Sequence, residues 1–292
     1  MFRASHNHVS IEVQLAPVGP ILVRSGKAGH DPLRPDVAAI RTQHARGETV
    51  YLPGSGLKGV LRSQAERILR ANGRSACDPF ALDSDCNKRR DQQPPEVFRT
   101  SCSACRTFGS TRVAGRLRIG DAYPTEATWA DANRTEVRNG VGIERRTQAA
   151  AQGVLYDMEV VTRGVFTARI DLENFELWQL ALLLQVLADL DAGFVQVGGM
   201  KSRGLGTVQV AAMQLTYQAT RSAKALQGLA ACMATDAPLW GLQPEPDIVP
   251  DRATVQPAGL RPRLVIADKA GVLALLDQLA AQVWPAFLTR RA

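Results

Sequence analysis

Two glycine-rich segments, each carrying cations, are the places where this sequence could hold a phosphate chain. Residues 52–59 read Leu-Pro-Gly-Ser-Gly-Leu-Lys-Gly, and residues 197–206 read Val-Gly-Gly-Met-Lys-Ser-Arg-Gly-Leu-Gly. Glycine lets main-chain N–H groups approach an anion with no Cβ in the way, while Lys58, Lys201 or Arg203 supplies charge. Leu57, Val60, Leu61, Ala65, Ile68 and Leu69 recur at helical spacing. The first segment therefore opens a helix whose N-terminal N–H groups and dipole favour phosphate, with Ser55 in its first turn and Lys58 and Arg62 one turn apart. The second runs into Thr207-Val208-Gln209-Val210, a strand-like stretch. That order argues against a dinucleotide fingerprint, which needs strand, glycines and then helix. Gly59 follows Lys58 where a Walker loop needs Ser or Thr. Either segment read alone is also compatible with a plain tight turn.

A third chemical signal is Cys77-x8-Cys86-x15-Cys102-x2-Cys105, set among Pro79, Pro94 and Pro95. A segment with so little apolar content cannot hold its shape by burial. Four thiolates on Zn²⁺ would supply the missing folding energy, and the closing C-x2-C is a usual knuckle spacing. Buried free thiols are the alternative. Cys232 stands alone and reads as a core thiol.

The 292 residues carry 35 Lys+Arg against 28 Asp+Glu, a net charge of +7 that suits a polyanionic partner. Aromatics make up only 5%, so extensive base stacking is not the expected mode. No apolar run approaches the ~18 residues of a membrane span, and no leader-like segment opens the chain. The expectation is a cytoplasmic protein without a disulfide framework or membrane partner.

The elements that must position these groups follow from periodicity. Val9, Ile11, Val13 and Leu15 alternate as an opening strand; residues 25–49 read as a long loop. The helix over 57–71 leads into the cysteine insertion (about 72–110), and residues 112–121 resume as a strand. Residues 125–153 form a polar excursion, and residues 155–172 are strand-rich with a bend at Gly164. Asn174 is expected to cap an apolar helix to Leu190, and a last strand ends near Leu215. Strand, helix, strand, strand, helix, strand is the split βαβ plan of ferredoxin-like and RRM-like folds, an α+β class. Residues 1–219 form that core. Residues 220–292, with six prolines between Pro238 and Pro262, read as a C-terminal helical extension on a stiff linker.

Taken together, the Pro-Gly-Ser-Gly helix start, the cysteine insertion, the arginine-bearing excursion and Gly-Gly-x-x-Ser-Arg-Gly-x-Gly before the last strand resemble the RAMP superfamily. The likeness is to the repeated backbone subunit of type III CRISPR effector complexes and spans residues 8–215. It implies a subunit that binds guide crRNA and lines up with copies of itself and other effector subunits. Ser55, Lys58, Arg62 and the loop holding Gly199, Lys201, Ser202 and Arg203 would grip guide phosphates. The excursion would be the family's thumb, with Arg138, Arg145 and Arg146 on the backbone of a guide–target duplex. In cleaving members an Asp upstream of the Pro-Gly-Ser turn promotes metal-dependent cleavage of target RNA; Asp36 matches best and Asp31 is the alternative. Its carboxylate would hold Mg²⁺ or orient a ribose 2′-hydroxyl. Here Pro35-Asp36-Val37 replaces the usual Asp-Asn-Pro. A non-cleaving backbone subunit is one further reading. Another is a guide-processing endoribonuclease with a general-base histidine drawn from His6, His8, His30 or His44. A generic RNA-recognition sheet would present aromatics, and Arg116-Leu117-Arg118-Ile119 has none.

Overall fold

Alternation of side chains sets the central strand. In the computed structural model, which describes residues 3–24, 35–78, 81, 86, 92–219 and 224–290, β1 (Asn7–Pro17) buries Val9, Ile11, Val13 and Leu15 and turns Glu12 to solvent. Next come the hairpin β2 (Arg41–His44) and β3 (Gly47–Val50) and helix α1 (Gly54–Ala71). The cysteine insertion contributes α2 (Pro94–Thr100) and α3 (Ser103–Phe108). Then follow β4 (Leu117–Ile119), β5 (Tyr123–Pro124), α4 (Trp129–Ala132), the hairpin β6 (Glu136–Ile143) and β7 (Ala150–Val160), β8 (Phe166–Glu173), α5 (Leu177–Asp191) and β9 (Val208–Ala219). The C-terminal part holds α6 (Leu229–Cys232), β10 (Thr254–Gln256), β11 (Arg263–Ile266), α7 (Lys269–Gln282) and α8 (Trp284–Thr289).

The main sheet runs β10-β11-β9-β1-β8-β4, with β5 also on β8, and its pairings are antiparallel. The fold is mixed α+β. Helices α1 and α5 cover one face, where Leu57, Leu61, Ala65 and Leu69 join Leu180, Leu183, Leu184 and Leu187 in the core built on β1, β8 and β9. The other face is polar and open, carrying His8, Ser10, Glu12, Arg169, Gln214 and Thr216.

Four expectations need correction. The loop expected over 25–49 contains the β2–β3 hairpin, turned at Ala45-Arg46 with Gly47 at φ +114°; its short, mostly polar strands leave no apolar alternation to read. The excursion does not end near 153, because the hairpin continues to Val160, and only after the bend at Gly164 does the core strand β8 begin. Asn174 does not cap α5. It sits at φ +52° and ties down the N-terminal segment, accepting from His6 N–H and donating to the Ala4 carbonyl. The cap is Glu176, paired with Gln179 in a reciprocal capping box. Finally, the C-terminal extension is not a lobe on a linker: β11 pairs with β9, and Leu226, Ile248, Leu264, Val272, Leu275 and Leu279 enter the same core. Lys269–Thr289 is also long and apolar enough to cross a membrane by length and composition. Its apolar side, however, packs inward, with Phe287 stacked on Trp178 at 4.3 Å.

The start of α1 is a close approach of two backbones. A Cβ on Gly54 would lie 2.4 Å from the Ile119 carbonyl oxygen, whereas Gly56 and Gly59 meet nothing within 4 Å. Gly54→Ala is therefore expected to destabilise the protein by about 2–3 kcal/mol through overpacking. Gly59→Ala is expected to stabilise it by up to about 1 kcal/mol through helix propensity. Chemical denaturation checks both.

Candidate nucleic-acid interface

Strand register places the two glycine segments at one end of the sheet. Leu15, near the end of β1, lies opposite Phe166 at the start of β8 and Val210 near the start of β9. Ile119, the last residue of β4, pairs with Ile170. Helix α1 starts at this end, where Gly54 N–H donates to Asp121 Oδ1 at 2.7 Å. The 197–206 loop closes on the chain just beyond β1: Gly199 N–H donates to the Leu22 carbonyl and Gly206 N–H to the Pro20 carbonyl, each at 2.8 Å.

The glycines divide by role. Gly54, Gly198 and Gly206 allow tight packing, since a Cβ on each would lie 2.2–2.4 Å from a carbonyl oxygen. Gly56 and Gly59 leave bare helix backbone beside Ser55, and Gly204 (φ +80°) does the same in the loop. Gly199, expected at guide phosphates, has its N–H engaged by Leu22 and so shapes the loop. Lys201, Ser202 and Arg203 are exposed. Lys58 is half-buried without an acidic partner among the described residues, and burial and the like charge of Arg62 hold its pKa below the ordinary value. Such an ammonium gains from an anion. Arg62 does not share that position: its guanidinium turns inward to Glu66 (2.8 Å), the Gly109 carbonyl (2.8 Å) and Cys105 Sγ (3.5 Å).

The β6–β7 hairpin rises from the same end. Arg138 and Arg146 are exposed beside Glu136 and Glu144, and Arg145 is exposed at the tip. Val137, Val141, Ile143 and Leu155 are also exposed, each more than half, which is unusual for a hairpin without a partner. The Tyr156 ring lies over Gly140, where no Cβ would fit, and its hydroxyl accepts from Arg203, so hairpin and loop are joined. At the base, Glu159 is held by Arg41 Nη2 (2.6 Å), Thr135 Oγ1 (2.5 Å) and Ala39 N–H (2.9 Å). Burial pushes its carboxyl up, but these three donors pull it down to about 2.

Asp36 is exposed at that base; Asp157 N–H donates to its Oδ2 at 3.2 Å. Asp31 and His30 lie outside the described residues. The described histidines do not converge: His8 pairs with Asp171 on the open sheet face at 3.1 Å, whereas His44 lies between the rings of Tyr123 and Trp129. Tyr51 stacks on Tyr123 at 5.8 Å. This aromatic group beside the start of α1 was missed because its members are 44, 51, 123 and 129 in sequence. The Arg41–Glu159 anchor was missed for the same reason of separation.

The sulfurs of Cys77, Cys86, Cys102 and Cys105 all lie within 4.8 Å of one another. A tetrahedron of thiolates on Zn²⁺ has edges of about 3.8 Å, so the donor set fits a structural zinc ion. N–H groups of Cys77, Cys102 and Cys105 point at cluster sulfurs at 3.3–3.4 Å, as thiolate acceptors require. Burial pushes the Cys77 thiol up to about 12, while hydrogen bonds from Cys105 and Cys86 pull Cys102 down. Apart from these cysteines, no group of three or more His, Cys, Asp or Glu side chains among the described residues is close enough to share an ion.

An α+β chain that gathers cationic turns and a projecting hairpin at one sheet end, and carries a cysteine knuckle toward the other, has the form of a polyanion-binding protein. The model of the RAMP superfamily matches residues 16–209, well over half of the sequence, and the chain belongs to that superfamily. Membership implies a CRISPR-associated RNA-binding protein. No curated protein matches the chain significantly.

Two outcomes follow. Cys102→Ser is expected to abolish stoichiometric zinc and to lower stability by several kcal/mol, read by metal analysis and thermal melting; zinc-free protein of unchanged stability would assign the cluster to buried thiols. Because the folded Glu159 carboxyl titrates below its ordinary 4.5, its contribution is complete above pH 4.5 and is lost as pH falls toward about 2. Amide exchange in β6 and β7 should quicken across that window, and Glu159→Gln should flatten the dependence.

Proposed function

We propose that the chain is a backbone subunit of a CRISPR effector complex that binds guide crRNA and stands beside copies of itself along it. The observation that carries this reading is the gathering of bare glycine backbone, cationic side chains and the hairpin at one end of the sheet. Within the main sheet, β9-β1-β8-β4 follows the fourth, first, third, second order of a split βαβ core, which supports the ferredoxin-like, RRM-like assignment. Ser55, Lys58, Lys201, Ser202 and Arg203 would grip guide phosphates. Arg138, Arg145 and Arg146 would follow a guide–target duplex, with the apolar stripe of the hairpin set against bases. Arg62 belongs to the cysteine cluster.

In the same reading Asp36 acts on complementary target RNA, its carboxylate orienting a 2′-hydroxyl toward the neighbouring phosphate. Among the described residues, no group of three or more metal-ligating side chains includes Asp36.

The full chain co-expressed with a guide should give particles with copies in a regular row. Lys201→Gln/Arg203→Gln should weaken guide binding about tenfold or more and reduce the salt dependence by the equivalent of one to two phosphate contacts. Asp36→Ala in the same particles should keep guide binding and lose target cleavage. Unchanged cleavage would remove the catalytic role and leave a binding subunit, while cutting of precursor RNA by the chain alone would favour a guide-processing enzyme.

A further inference from the structure

At the opposite end of the sheet, where α1 stops and α5 begins, the cysteine insertion meets the C-terminal part around a second cationic cavity. It encloses ≈ 410 Å³ and is lined by Arg74, Arg99, Arg106 and Arg290 with Ser101 and Ser103. Three of the four guanidiniums are held in place. Arg106 and Arg290 clamp Glu176 at 2.5 and 3.1 Å, and Arg290 also lies 3.5 Å from Glu245. Arg74 donates to the Arg290 carbonyl at 2.5 Å and lies over the Phe287 ring.

Even so, the donors are not used up. Arg74 Nε and Arg106 Nε are buried with no hydrogen-bond partner among the described residues, a costly condition for charged donors, and Arg290 Nη2 has only the 3.5 Å ion pair with Glu245. Arg99 is exposed at the rim, its stem packed on the bare Cα of Gly241. Four cations thus line the cavity, while the two carboxylates that Arg106 and Arg290 hold, Glu176 and Glu245, lie buried behind its wall. A further carboxylate brings only two oxygens, whereas a phosphoryl group brings three or four that accept from several directions. The volume exceeds that of a bare anion and falls in the ~300–1,000 Å³ range of small-ligand sites.

We propose that this cavity binds a phosphoryl group carried on a nucleotide, either free or at an RNA end. The proposal does not rest on the guide-binding reading, because the residues and the sheet end are different. Calorimetry on the zinc-loaded full chain, with adenosine 5′-monophosphate, adenosine and a 5′-phosphorylated hexaribonucleotide, tests it. Adenosine monophosphate should bind, adenosine should not, and binding should fall at least tenfold in Arg99→Gln and further in Arg74→Gln/Arg99→Gln. Lys201→Gln/Arg203→Gln should leave it unchanged. Tighter binding of the hexanucleotide than of the monophosphate assigns the phosphoryl group to a strand end, and the reverse assigns it to a free nucleotide. Equal binding of adenosine, no binding of either phosphorylated probe at millimolar concentration, or wild-type affinity in both arginine variants overturns the proposal.

Discussion

The Glu176 carboxylate, fully buried at the start of α5, is the interaction on which the arrangement depends. It joins three parts of the chain: Arg106 from the cysteine insertion and Arg290 from the C-terminus both close on it, and Gln179 completes its cap. Glu245 accepts from the next two N–H groups, those of Leu177 and Trp178. At its far end α5 is tied by Asp189 to Gln64 and by Asp191 to Lys269 and the Val210 N–H, and at its start these N-terminal donors help set its depth and angle. Removing one member of a buried ion pair costs about 3–5 kcal/mol, because the other charge is left without compensation. The insertion, core helix and C-terminal segment therefore behave as one cooperative unit.

With α5 fixed, the sheet has one dry and one wet face, and its two ends acquire different characters. At the end that carries the glycine segments the backbone is brought close by glycines that a Cβ would disrupt, while other glycines lie in the open. An 18-residue helix with Gly56 and Gly59 on its exposed side breaks a local rule of helix propensity with no internal gain. Such conflicts concentrate at functional surfaces.

Much of this was legible in the sequence. The alternation of Val9 to Leu15 and of Phe166 to Leu172, the helical spacing of Leu57 to Leu69 and the four cysteines each encode their element locally, and each element is present. What was not legible depended on distance or on competition. Asn174 and Glu176 both have cap chemistry, and the N-terminal segment claims the first. Arg62 has the spacing for a phosphate contact, but Glu66 lies one turn away and the Gly109 carbonyl comes within reach only after folding. The proline-rich stretch looked like a stiff connector because isolated residues such as Leu242 and Ile248 show no period, yet both are buried. The Arg41–Glu159 pair spans 118 positions and has no signature in either neighbourhood.

The sheet's outermost strands are β10 and β4, each only three residues long. By laying β11 beside Leu215–Gln218 of β9, and β10 beside β11, the C-terminal segment shortens the long rim that a foreign strand could have extended. Main-chain zippering between molecules is thereby left a shorter template. A protein crowded against its own kind can then associate through side-chain surfaces, which can be specific and reversible, rather than by fusing sheets.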